Sequence, residues 1–180
     1  GRVPWLRLRS GAHETTWTLP LASAHAAPAG TVEVLQASGT PQQALDVVFV
    51  GDGFTAAEQP AFFEAAQRAA DEWLSIPPYA SVRDLVNVHA LFVPSAESGA
   101  DHPSLDKWVD TAFDTSFEYG GIARLAVSSE SKVLAAVNAW VPDAEIAVVL
   151  VNDPEYGGSG GAVPVASLHP SAILIVAHEL

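Results

Sequence analysis

The 180-residue sequence predicts an α/β fold: a mostly parallel sheet with an antiparallel edge strand and flanking helices. Two patterns carry this. Compact apolar runs at Leu45–Val50, Val86–Val93 and Ala144–Val151 have the character of strands buried on both faces, as parallel strands are when helices cover each side. Between them lie two stretches with apolar residues at helical spacing, so strand, helix and strand alternate as in a βαβ unit.

In chain order, residues 1–44 hold short alternating pieces, Trp5–Arg9, Thr16–Leu19 and Thr31–Leu35, separated by Gly11, Pro20, Pro28, Gly30 and Gly39-Thr40-Pro41. Period-two alternation predicts half-exposed strands, and the segment is expected to be the tail of a preceding β-rich region plus a linker. His25 reads as a solvated loop histidine. From Leu45 the character changes, and the run to Val50 is stopped by Gly51-Asp52-Gly53. Thr55-Ala56-Ala57-Glu58 is a capping box, followed by Phe62, Ala66, Ala69 and Trp73 on one helical stripe. Pro60 lacks an N–H, which places it in a first turn or makes the opening turn separate. Ile76-Pro77-Pro78 ends the helix.

Val86–Val93 is the next strand, with His89 as a satisfied mid-strand histidine. The loop from Ser95 to Pro103 leaves its carboxyl end, where α/β folds place ligands. Asp101 and His102 there are a candidate ligand pair, against the plainer expectation of a solvated loop. Residues 104–121 form a long polar and aromatic excursion with room for one short strand. A second helix starts at Ser128-Ser129-Glu130 and carries Val133, Val137 and Trp140 on one stripe, with Leu134 and Val141 beside it. After Ala144–Val151 comes the glycine-rich loop Tyr156-Gly157-Gly158-Ser159-Gly160-Gly161. Ala162–Ser167 then reads as a strand that Pro164 confines to an edge or a bulge.

Composition excludes some classes of function. With 8 basic and 21 acidic residues the formal charge is −13, which repels phosphate backbones, so no nucleic-acid partner is expected. No apolar run approaches the roughly 18 residues of a membrane span. The absence of cysteine leaves only histidine and carboxylate for a metal site.

The stretch with the most chemical content is Ser171–Leu180, an apolar run that ends in His178-Glu179. Histidines four apart on a helix share a face and hold one Zn²⁺ between them, and the glutamate beside the first serves as general base. Here the second histidine would fall two residues past Leu180, so the motif is expected to continue beyond the sequence. The dipeptide alone says little, since His13-Glu14 repeats it with Trp17 at the second ligand position. A buried helix and a short buried strand share this apolar pattern, and Ile173, Ile175 and Val176 favour the strand.

Gly157-Gly158-Ser159-Gly160-Gly161 also satisfies G-x-S-x-G, which makes Ser159 the candidate nucleophile of a serine hydrolase. That elbow requires a strand directly before the serine, a helix directly after it, and then an acid followed by a histidine. Asn152–Tyr156 intervene instead, and Glu179 follows both His169 and His178. A non-catalytic α/β binding module is the remaining alternative.

Several separated blocks, taken in order, resemble the M64 metallopeptidases, the IgA-peptidase family. They are Val48–Glu58, Asn87-Val88, Val93–Gly99, Asp110–Phe113, Val151-Asn152 with Tyr156–Gly160, and His178-Glu179-Leu180. The resemblance covers 45–180. It implies a zincin-like catalytic domain of which 45–180 is the N-terminal part, in a secreted bacterial zinc endopeptidase acting on protein or peptide substrates. It further implies His178 as the first zinc ligand, Glu179 as the general base, and continuation of the motif as His-Glu-Leu-Gly-His. The loop Tyr156, Gly157, Gly158, Ser159 and Gly160 is the candidate substrate-binding segment.

Overall fold

The computed structural model describes residues 5–10, 13–18 and 29–179. His25, Leu19 and the breakers Gly11, Pro20 and Pro28 lie outside the described residues, as does Leu180. Strands β1 (Trp5–Ser10) and β2 (His13–Thr18) form an antiparallel pair of their own.

The main sheet has six strands: β3 (Thr31–Gln36), β4 (Leu45–Asp52), β5 (Val86–Phe92), β6 (Ile146–Val151), β7 (Gly158–Ser159) and β8 (Val165–Ser167). Their spatial order is β3-β5-β4-β6-β8-β7. The four central strands β5, β4, β6 and β8 are parallel, and both edges, β3 and β7, are antiparallel to their neighbours. Two expectations change here. Thr31–Gln36, expected with the preceding region, joins the main sheet by pairing with β5, with a register shift between Val34 and Gln36. The strand after the glycine loop is not an edge. Pro164 sits just before it, its carbonyl accepting the Val149 N–H at 2.8 Å, and the outermost strand is β7, inside the loop itself.

Alternation along the buried strands sends side chains to two cores. Val47, Phe49, Val88, Ala90, Phe92, Val148 and Leu150 face helix α1 (Gln59–Trp73), together with Val176 of α3 (Ile173–Glu179) and Ala172 in the turn before it. Val48, Val50, Leu91, Val149 and Val151 face helix α2 (Glu130–Trp140) and the aromatic rings of the excursion, Phe113 and Phe117. The molecule is therefore layered helix, sheet, helix.

Helix α1 begins as its sequence requires. A separate turn of 3₁₀ helix, Ala56–Glu58, precedes it, and Glu58 Oε2 accepts both the Thr55 N–H and hydroxyl at 2.8 Å. Pro60 lies in the first turn of α1, where no intrahelical partner exists for its missing N–H. In α2, Val133, Ala136 and Val137 are buried, whereas Leu134 and Trp140 are 37 % exposed, so the buried stripe is narrower than the apolar pattern suggests.

The excursion between β5 and α2 forms no strand; its pairing consists of isolated bridges, including Asp101 with Ser116 and Ser116 with Val127. A fully buried carboxylate organises it. Asp52, at the carboxyl end of β4, accepts the Thr111 hydroxyl at 3.0 Å, the Phe113 N–H at 3.0 Å, and the N–H and hydroxyl of Thr115. Gly53 follows with φ +72, and a Cβ there would lie 2.0 Å from the Gly99 carbonyl oxygen, so two backbones meet where a side chain cannot stand.

Candidate functional site

The run after Ser171 turns through Ala172 into helix α3, Ile173–Glu179, and tertiary contact decides it. Ala172 and Val176, four apart, are fully buried against α1 and the sheet, while Leu174 on the far side is 59 % exposed. A strand would have turned Ile173, Ile175 and Ala177 to one face and Leu174 and Val176 to the other. The connection from β8 is braced by polar contacts: Ser167 Oγ accepts the Gly157 and His169 N–H groups at 3.3 and 3.4 Å, and His169 Nδ1 accepts that of Ser171 at 3.1 Å. Near the other end the Tyr79 hydroxyl donates to the Ala177 carbonyl at 2.8 Å. This fixes the backbone immediately before His178 and Glu179, both of which are exposed at the helix tip.

Over this tip stands the glycine loop. Gly158 pairs with Ala166 of β8 on one side. On its other side the Gly158 N–H donates to the Arg124 carbonyl at 3.0 Å, and its carbonyl accepts the Ala126 N–H at 3.4 Å. Residues 124–126 thus cover the outer edge of β7 at Gly158, in a parallel bridge through Leu125. The strand ends at Ser159, and Gly160 follows it at the wall of the cleft described next.

A cleft of about 410 Å³ lies between loop and helix. His178, Glu179, Tyr156, Gly158, Ser159 and Gly160 all line it, so six of the seven candidate residues come together. Gly157 does not. It is buried, and a Cβ on it would lie 2.4 Å from Phe117 Cε1, so its role is packing. Arg124, Leu125, Leu174 and Ile175 complete the wall. Arg124 and Leu125 had no signal in the sequence, because they reach the cleft only through pairing with Gly158. Tyr156 also meets His169 edge to face at 5.3 Å.

His102 and His89 are used structurally. His102, expected in a solvated loop or beside Asp101 as a ligand, is 4 % exposed and stacks on Phe117 at 4.6 Å. Its Nε2 lies 2.8 Å from Asp153 Oδ2, and its Nδ1 is 3.7 Å from Glu155 Oε2. Asp101 turns elsewhere, accepting the Val109 N–H at 2.8 Å. His89 Nε2 is 2.8 Å from Asp46 Oδ1, as befits a satisfied strand histidine. Ser159 lies within β7 and is followed by a loop into β8 rather than by a helix, so the nucleophile elbow is not built.

The Glu58 carboxyl has a displaced pKa. Partial burial works to raise it, but hydrogen bonds from the Thr55 N–H and hydroxyl, the Ser98 hydroxyl and the Asn152 amide outweigh burial and hold the carboxyl below its ordinary range.

Among the described residues no three histidines or carboxylates converge to hold a metal. What the cleft offers a zinc ion is one exposed imidazole, that of His178, with the Glu179 carboxylate next to it. That fits one corner of a helix-borne site and does not complete one.

A mostly parallel sheet whose short antiparallel edge stands over a helix ending in His-Glu has the architecture of a zincin-like peptidase. A family model described as IgA Peptidase M64 matches residues 33–180, and the chain belongs to that metallopeptidase family. The match begins within β3, in keeping with that strand's place in the main sheet. A comparison with curated proteins found no match. No helix among the described residues is long and apolar enough to cross a membrane.

Proposed function

We propose that the intact protein is a secreted zinc-dependent endopeptidase, with His178 as one metal ligand, Glu179 as general base, and the remaining ligands on residues that follow Leu180. The observation that supports this best is that the exposed Glu179 carboxylate and His178 share a cleft with Ser159 of the β7 edge and with Gly160 just past its end. The chemistry supplied by the metal when bound is Lewis acidity toward a carbonyl oxygen and toward water. The chain's own residues do the rest. Glu179 takes a proton from the attacking water and returns it to the leaving amine.

A peptide substrate would lie along the outer side of the edge and hydrogen-bond to the peptide groups of Gly160, continuing the line that residues 124–126 begin. The stretch available for this is short, because β8 is flanked on both sides and Gly158 is already paired.

The test is Glu179→Gln in the intact protein, followed by peptide cleavage and zinc content. Cleavage should fall by about 10²–10⁴-fold, the range general-base removal produces, while zinc content stays at the parent level. Undiminished cleavage would remove Glu179 from the mechanism.

A further inference from the structure

We infer that Gly160 is a positioning residue for Glu179: its bare α-carbon is the seat on which the glutamate carboxylate rests, and this is why the position carries no side chain. The inference rests on Glu179 being the general base. A Cβ built on Gly160 would lie 1.9 Å from Glu179 Oε2, 2.3 Å from Cδ and 2.9 Å from Oε1, so the carboxylate occupies the space a methyl group would take.

The contact belongs to a register between two elements. Gly158 in β7 and Gly160 just past its end both turn their Cβ positions toward α3, and Ile175 and Glu179, four apart on α3, share a helix stripe. Two strand residues advance about 6.6 Å and four helical residues about 6 Å, so the spacings match. A Cβ on Gly158 would meet the Val165 carbonyl oxygen of β8 at 2.2 Å and Ile175 Cδ1 at 3.0 Å, whereas at Gly160 all three nearest atoms belong to the Glu179 carboxylate group. Gly158 is therefore held bare first by the neighbouring strand, and Gly160 by the helix side chain alone.

Backbone conformation does not explain the residue at 160. The loop's positive-φ glycine is Gly161, at +116, and a Cβ there would meet nothing within 4 Å. Gly160 has a backbone that alanine can adopt, and the nearest atoms to an added methyl belong to the end of one exposed, flexible side chain. Gly160→Ala should therefore preserve the fold and displace the carboxylate by on the order of 1 Å, a shift sufficient to cost about 10²-fold in rate.

The experiment compares Gly160→Ala, Glu179→Asp, the double variant and Glu179→Gln in the intact enzyme. Gly160→Ala should lower kcat about 10²-fold with KM little changed and zinc content at the parent level. The double variant should be more active than the product of the two single losses, because a carboxylate one methylene shorter clears the new methyl. Parent-like kcat in Gly160→Ala, or losses that simply multiply, would overturn the inference while an inactive Glu179→Gln kept the peptidase reading intact. Activity surviving in Glu179→Gln would defeat both. Should Gly160→Ala lower the denaturation midpoint, the same substitution is measured in a Glu179→Ala background: relief of the loss supports the contact, and an undiminished loss refutes it.

Discussion

At the scale of single residues, Asp52 carries the greatest structural demand. It is fully buried at the end of β4 and receives the Thr111 and Thr115 hydroxyls together with two backbone N–H groups. Removing the acceptor would strand donors that have no water to turn to, and each such group costs roughly 1–3 kcal/mol. Asp52→Ala should therefore lower stability by about 3 kcal/mol or more. Urea denaturation would register this as a lower midpoint, and a midpoint within error of the parent would show that the donors find other partners. Asp52 was visible in the sequence only as part of a strand-stopping Gly-Asp-Gly. Its partners sit about sixty residues away, beyond the reach of any local pattern.

Between elements, the equivalent tie is His102 with Asp153, which joins the excursion to the segment that follows β6. The imidazole is also clamped flat against Phe117, and Lys107 Nζ approaches the same Asp153 oxygen at 3.6 Å. His102→Ala and Asp153→Ala should each cost roughly 1–3 kcal/mol, and the double substitution less than their sum, since either one already breaks the shared contact. Simple additivity in thermal midpoints would refute the coupling. The same comparison shows where sequence reading succeeds. β4, α1, β5, α2 and β6 were legible because each has its own periodicity and its own terminators, Thr55 and Glu58 for α1 and Ser129 for α2 among them. β7 was not, since two residues become a strand only by pairing with β8 and with 124–126. The membership of β3 depends on β5, more than fifty residues on. For α3 the apolar pattern fitted both helix and strand and its β-branched residues leaned toward strand, and burial of Ala172 and Val176 decided for helix. His178 and Glu179 are candidates on motif and family likeness, whereas the contact of Glu179 with Gly160 needed coordinates.

For the molecule as a whole, acid titration is the most informative probe. The chain carries 21 acidic residues, so lowering the pH discharges many carboxylates at once, and only differences between variants isolate one of them. Glu58 has a folded pKa held below its ordinary value of 4.5, so the folded state binds its proton less readily than the unfolded chain. Its stabilising contribution is present above the unfolded pKa and is lost as pH falls through the lowered folded value. Glu58→Gln should thus be less stable than the parent at pH 7, and the gap should narrow below about pH 4.5. A gap constant from pH 7 to pH 3 in urea midpoints would mean that the hydrogen bonds are indifferent to the charge. The register shift between Val34 and Gln36 matters at this scale too. Among the described residues no strand lies outside β3, and a straight outer strand is a template on which a second chain can grow. By kinking that border beside the charged Glu33, the bulge spoils the regular ladder that fibril-like stacking needs, which makes β3 a poor seed for polymerising copies of the chain.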